Sequence, residues 1–448
     1  MLLPSLLTEL FFAGGALEAE VWLEEKNPAM ADLMRGYGEK IALKAGARGA
    51  IRTTGDRAEA LRGADCVLYA GDPQAASRFF MDRAALEGDE EENGKTPSQP
   101  PEQQSPLEPL VYAENLGMTD QARVNGGLGG LMHALRAGQA VMELCDAMAE
   151  SCPEALVINL GQPVARTTEI FLRRGFRCWG LGRTPLKGAS GLDTLAKRLR
   201  RPESDLEWEI VGLPGFSFLT KLQDRESGKD WLPRLKKAAR EEELGQLSKR
   251  WLDWWDALPV GDVTDHAEFL PAQPDYIPEE KPEFGESVER RKERILYMNT
   301  VREKGADDRE GAMAQLLLLS RVPPVRPIRL ALAALRKEDA LLPAVAHRNG
   351  GDLPQLPAEA MVETSLKLEK GCPVGQGFRV PPALAEVMRE IDGANRLAAR
   401  AAMGDREALR EYVETDPALD GLDRLYCMDV AEKLIELHRD MLPLYSED

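Results

Sequence analysis

The chain has 448 residues, 43% of them hydrophobic, enough to bury more than one core. Acidic residues outnumber basic ones 75 to 57, a formal charge of −18, so the basic face that nucleic acid requires is missing. No apolar stretch approaches bilayer-spanning length and the six cysteines show no CxxC spacing, so a soluble cytoplasmic protein with reduced thiols is expected.

The opening MLLPSLLTELFFAGGALEA has no basic region, and Glu9 interrupts its apolar run. Leu3, Leu6, Leu7, Leu10 and Phe11 recur at helical spacing, which predicts an amphipathic helix rather than a secretory leader. EVWLE at 20–24 predicts a strand, 28–45 a helix, 50–53 a strand and 56–63 a helix. CVLYA at 66–70 is an apolar strand that stops at Gly71. Residues 87–109 are acidic, rich in Pro, Gln and Ser, and aperiodic, as expected of an unstructured insertion. A long helix over 130–151, a strand ALVINL at 155–160, a helix over 167–174 and a strand RCWGL at 177–181 follow.

Such alternation calls for a parallel sheet covered by helices on both faces. A dinucleotide-binding fold opens on an apolar strand and a glycine-rich turn, whereas this sequence opens on the helix that would come next. Beyond residue 186 the pattern changes to a strand at 205–211, a helical stretch at 231–258, a glycine-rich run ending near Phe378, and helices at 382–402 and 405–413. The expected fold is α/β: a Rossmann-like NAD-binding domain over 1–185 lacking its first strand, with the insertion at 87–109, then an α+β domain over 186–448.

Six segments, in order, carry a resemblance. NGGLGGLMHALR at 125–136 is similar to a GPGG-x-x-x-x-LR stretch, INLGQPVARTT at 158–168 to INxTNPxxxxT, and GLGRTP at 180–185 to GLCNxP. GLPGFSFLTK at 212–221 is similar to GxNHxxWxxK, GDVTDHAEFLP at 261–271 to GDRHxAEFLP, and NGGDLPQLPAEAMVET at 349–364 to NxGxIxNLPxxxxVE. Together they resemble glycoside hydrolase family 4, over nearly the whole chain. The resemblance implies a Rossmann-like domain followed by an α+β domain, the latter of the family's glycosidase type. It also implies action on the O-glycosyl bond of an α-hexoside or hexuronide, and assembly as a dimer or tetramer. Its chemistry differs from paired-carboxylate hydrolysis: bound NAD oxidises a sugar hydroxyl, a base takes the acidified proton, and the glycosidic oxygen leaves by elimination. A manganese ion held by a Cys and a His stabilises the intermediate charge.

Carried over by residue, that metal site is absent. The Cys corresponds to Gly182 and the His to Gly215, while their Asn neighbours correspond to Arg183 and Pro214; glycine has no donor, so manganese is not expected. Two readings stay open. In one the chain is a pseudoenzyme that binds a sugar or a protein partner; in the other Arg183 takes over oxyanion stabilisation or grips a sugar carboxylate. The glycine loop of the NAD site does not stand in this sequence, so either it was lost or the start was assigned too late, and Glu24, at the end of a strand, matches the acidic residue that holds ribose hydroxyls. Gln162 replaces the substrate-binding Asn, keeping an amide for a sugar hydroxyl, and Arg166, one turn further on, is a second substrate-binding candidate facing the same pocket, with a solvated helix position as the alternative. For the base, Asp262 matches the motif, while one extra residue before AEFLP makes Asp265 or His266 alternatives for that place, and Tyr276 is a further alternative. His133 is expected to be structural, His347 to sit in a loop and His438 to be solvated. Cys178 is expected to be a core thiol, and Trp251, Trp254 and Trp255 a core or interface cluster.

Overall fold

The computed structural model describes residues 2–13, 19–47, 49–71, 75–87, 121, 123–182, 185, 188–261, 263–271 and 326–446. Arg183, Asp262, Tyr276 and residues 88–109 of the acidic insertion lie outside them.

Helix α1 (Leu2–Thr8) runs into a π-turn at Glu9–Ala13. Its apolar residues Leu6, Leu7, Leu10 and Phe11 join Leu23, Tyr37 and Ile41 in one buried cluster, as the helical spacing predicted. Glu9, which breaks the apolar run, is buried too. It accepts the Arg329 N–H at 2.9 Å in the first turn of a later helix, where backbone donors lack helical partners.

Strand β1 (Glu20–Glu24), helix α2 (Pro28–Lys44, capped by Asn27) and strand β2 (Ala50–Thr54) form a parallel unit, with Val21 opposite Ile51. After α3 (Arg57–Leu61) come β3 (Cys66–Tyr69), α4 (Ala75–Glu87), α5 (Gly127–Ser151), β4 (Leu156–Asn159), α6 (Val164–Arg173) and β5 (Arg177–Gly180). Strands β3, β4 and β5 are parallel, and the predicted α/β alternation holds over this stretch.

Further elements are α7 (Leu192–Leu199), β6 (Leu206–Leu213), β7 (Phe216–Asp224), α8 (Leu232–Arg240), α9 (Gln246–Trp255), β8 (Leu258–Pro259) and α10 (Val263–Ala267). They are followed by α11 (Pro327–Arg336), β9 (Ala340–Arg348), β10 (Met361–Glu369), β11 (Cys372–Val374), α12 (Pro382–Ala402), α13 (Arg406–Thr415) and α14 (Arg424–Leu437). The main sheet is continuous in the order β3-β4-β5-β9-β10-β6-β7-β8, with β11 on β10. Beyond β5 its pairings are antiparallel. The helical pattern of 231–258 divides into α8 and α9 at Gly245, whose φ of +89° stops a helix.

Helix α5 starts at Gly127, three residues earlier than its apolar periodicity suggested. A Cβ on Gly129 would lie 2.6 Å from the Arg123 carbonyl oxygen, because the incoming chain folds back over the first turn. The core under α5 includes Ala398 of α12, Tyr412 of α13 and Val430 of α14, so chain-distant helices close over it. Among the described residues no helix is long and apolar enough to cross a membrane.

Candidate functional site

A cleft opens beyond the carboxyl ends of β4, β5 and β6, where parallel α/β sheets receive ligands. Asn125 enters from the segment before α5, and Gln162, Pro163, Val164 and Ala165 from the start of α6. Gly182 follows β5, Pro214 and Gly215 form the β6–β7 turn, Phe269 follows α10, and Asn395 comes from α12. The turn into α6 is pinned by Asn159, whose Nδ2 donates to Thr167 and Thr168 Oγ1, both at 2.8 Å, and whose Oδ1 accepts from Gly161 N at 2.9 Å. Pro163 provides no side-chain cap for α6, so the positive end of this helix lies at the cleft wall.

Arg166 is 1% exposed behind that wall. Its Nε donates to Asn395 Oδ1 at 2.9 Å, Nη1 to the Gly130 carbonyl at 2.6 Å, and Nη2 to the Asn125 carbonyl and to the Tyr412 hydroxyl, the last at 3.4 Å. All four acceptors are uncharged, so the guanidinium ties the walls together and keeps a positive field beneath the cleft.

Gly182 and Gly215 face the same cleft, so the two positions where the resemblance puts metal ligands are brought together. Gly215 has φ +85°, and a Cβ there would stand 3.1 Å from the Phe269 ring. Both facts oppose a longer side chain at 215. The lining side chains that carry donor atoms are the neutral amides of Asn125, Gln162 and Asn395. Among the described residues no cluster of three or more His, Cys, Asp and Glu could hold a metal ion.

The remaining candidates fall in several places. Glu24 is at the end of β1, and Arg57 Nε donates to it at 3.1 Å. His266 is fully buried between Phe216 and Phe218, ring centroids 5.1 and 5.3 Å away, with Nε2 3.2 Å from the Val260 carbonyl. Asp265, one residue before it, is half-buried.

Three histidine expectations meet different outcomes. His133 is buried, and desolvation with the Arg136 cation lowers it to about 3, as suits a structural residue. His347 is in strand β9, not in a loop, with Nε2 2.9 Å from Thr364 Oγ1 and 3.2 Å from Asp352 Oδ2. The expectation that His438 is solvated is wrong: it is fully buried, 2.5 Å from Asp82 Oδ1. Charged neighbours in the sequence concealed this, because its acidic partner lies 356 residues away. Cys178 is a buried core thiol pushed well above its ordinary value by desolvation. Trp251 and Trp255 stack at 5.1 Å in the core, while Trp254 is 55% exposed.

Two acidic residues escaped the sequence reading. Glu268 secures the segment carrying Asn125. Glu363 lies in a row of facing residues across the sheet: Gly180, Ala346, Glu363, Gly212 and Ser217. Fully buried, it accepts from Ser217 Oγ at 2.7 Å, and burial pushes its carboxyl up to about 7. A carboxyl raised in the folded state binds protons there that the unfolded chain has released. Stability from this group is therefore lost as pH rises from its ordinary value towards 7, by about 3 kcal/mol. Glu363→Gln should remove this loss. Urea unfolding at pH about 5 and about 8 should show a smaller fall for the variant than for wild type. Equal falls would rule out Glu363 as the source.

The fold and cleft define a Rossmann-like α/β protein with a cleft at the carboxyl ends of the strands. A sequence profile described as "Family 4 glycosyl hydrolase" matches residues 110–182, and one described as "Family 4 glycosyl hydrolase C-terminal domain" matches residues 210–419. Together they cover more than half of the chain, which belongs to glycoside hydrolase family 4. An α-glucosidase of Erwinia rhapontici is 28% identical over 224 residues, 50% of this chain and 44% of that protein. A phospho-α-glucosidase, PagL, of Clostridium acetobutylicum is 26% identical over 154 residues, 32% of this chain and 34% of that protein. The matches thus span less than half the length of these relatives.

Solved structures share the fold over almost the full length. A 6-phospho-α-glucosidase from gut microorganisms, in complex with NAD and Mn2+, has a TM-score of 0.70 at 16% identity, covering 98% of this chain and 95% of that one. A 6-phospho-β-glucosidase from Thermotoga maritima, with NAD and glucose 6-phosphate, has a TM-score of 0.68 at 15% identity, covering 98% and 96%.

Proposed function

We propose that the cleft binds a glucoside or hexuronide carrying an anionic substituent, and does so without a divalent metal. The relatives are named as glucosidases and phospho-glucosidases, which supports the sugar class. The amides of Asn125, Gln162 and Asn395 suit sugar hydroxyls. The positive end of α6, backed by Arg166, favours a negative group.

The observation that carries the reading is the pair of glycines. Gly182 and Gly215 line one cleft and neither offers a donor, while the neighbouring amides are weak ligands for manganese. The residues present do not fit the metal. Cleavage would then rest on Arg183 as the cation that steadies developing charge, with Asp262, Asp265 or His266 as base. His266 is the weakest of these, since it is enclosed by aromatic rings away from the cleft lining. NAD, which would supply the oxidation, would be held at its ribose by Glu24 after displacing Arg57.

Calorimetric titration with glucose 6-phosphate should give the same affinity in EDTA and in manganese, within about twofold. Tightening by manganese of about tenfold or more would overturn the metal-free reading. Hydrolysis of a nitrophenyl 6-phosphoglucoside with NAD in EDTA separates an unorthodox enzyme from a second reading, a sugar-binding relative without catalysis. The missing metal donors favour the second, and cleavage in EDTA would refute it.

A further inference from the structure

We infer that Glu268 is a positioning residue that holds Asn125 with its amide oxygen turned to the cleft, and that its ionisation governs how this wall meets ligand. The inference rests on the cleft being the ligand site.

Glu268 follows α10 and directly precedes Phe269. Its Oε2 accepts three N–H groups from the entry to α5: Val124 N at 3.2 Å, Asn125 N at 2.9 Å and Asn125 Nδ2 at 2.7 Å. Arg123 Nη1 returns two bonds, to the Glu268 carbonyl at 3.0 Å and the Leu270 carbonyl at 2.6 Å. The segments touch closely: a Cβ on Gly126 would fall 2.1 Å from the Glu268 carbonyl oxygen. Each segment then contributes one residue to the cleft, Asn125 from one and Phe269 from the other.

With Nδ2 donating to Glu268, the remaining polar atom of the Asn125 side chain is Oδ1. It lies 3.9 Å from where a Gly215 Cβ would be, on the side of the cleft floor. A carboxylate accepts all three N–H groups, whereas a protonated carboxyl carries less negative charge to attract them. Desolvation and the neighbouring Asp265 push Glu268 up to about 7, against the pull of Asn125 and Arg123. Two further charges border the segment. Arg166 donates to the Asn125 carbonyl, and Asp416 Oδ2 accepts from Gly127 N at 2.7 Å. The switch therefore falls in the neutral range, with the wall ordered above it and loosened below.

The test is hydrogen exchange over residues 121–131 in the full chain between pH about 6 and about 8, corrected for intrinsic exchange. In the wild type, protection should rise about tenfold across this range, as a charge-assisted acceptor forms. Glu268→Gln keeps an acceptor but cannot ionise, so its protection should be independent of pH. Asp265→Asn removes the like charge, so the midpoint should move to lower pH. A pH dependence retained in Glu268→Gln, or a midpoint unmoved in Asp265→Asn, overturns the inference. The ratio of glucose 6-phosphate affinities, wild type over Glu268→Gln, should also rise with pH; a flat ratio refutes the effect on ligand. If the wild type does not bind glucose 6-phosphate, the sugar reading fails, while exchange still decides whether Glu268 orders Asn125.

Discussion

Arg166→Ala is expected to lower folding stability by about 2–4 kcal/mol, as breaking a buried hydrogen-bond network and leaving its acceptors unsatisfied does. The side chain is 1% exposed and serves four acceptors on four segments: Asn395 of α12, Gly130 of α5, Asn125 before α5, and Tyr412 of α13. Truncation takes the donors away from these buried acceptors and removes the tie between the first and last parts of the chain. Arg166→Lys keeps the charge but reaches fewer of them, and should lie between alanine and wild type. Urea unfolding at one pH measures both. A loss below about 1 kcal/mol for alanine would mean that the cleft walls are held by other contacts.

Asp82→Ala should be comparably damaging. Asp82 and Arg136 are each 2% exposed in their side chains and make a two-pronged pair at 3.1 and 2.7 Å, and the same carboxylate receives His438. Removing it strands the Arg136 cation beside His133 and leaves His438 without its acidic partner. Loss of one member of a buried ion pair costs about 3–5 kcal/mol. Arg78, bound to Asp440 at the C-terminal end, borders the same cluster, so the damage should spread to the tail. Limited proteolysis with thermal unfolding would show this as earlier cleavage after about residue 436 and a lower midpoint. If Asp82→Ala unfolds normally while its tail remains protected, the apolar contacts of α14 suffice to dock the C-terminus.

Much of the first half was legible locally. The strand at 66–69 follows from a short apolar run closed by a glycine, and the helices α2 and α12 from a side-chain period of 3.6, which neighbouring residues alone express. Strands β7, β9 and β10 were not predicted. β10 is buried on both faces for six successive residues, so it shows no alternation that sequence could register. Glu363 and Glu268 were overlooked for a related reason. A glutamate in a sequence looks solvated until its partners are known, and those partners are Ser217, 146 residues away, and Asn125, 143 residues away. Both glutamates, like Phe269, stand inside quoted motifs, and the role of Phe269 opposite Gly215 likewise became visible only when the β6–β7 turn was in place.

What the chain determined on its own was the order of its elements in the first half and the motifs of family 4. The glycines at 182 and 215 were equally plain, because residue identity needs no geometry. Tertiary structure alone decided that those two glycines share one cleft, that Arg166 is buried behind it rather than solvated, and that His438 is interior. These are facts of distance between segments far apart in sequence, and burial, which sets the charge state of Glu268 and Glu363, exists only once those segments have met.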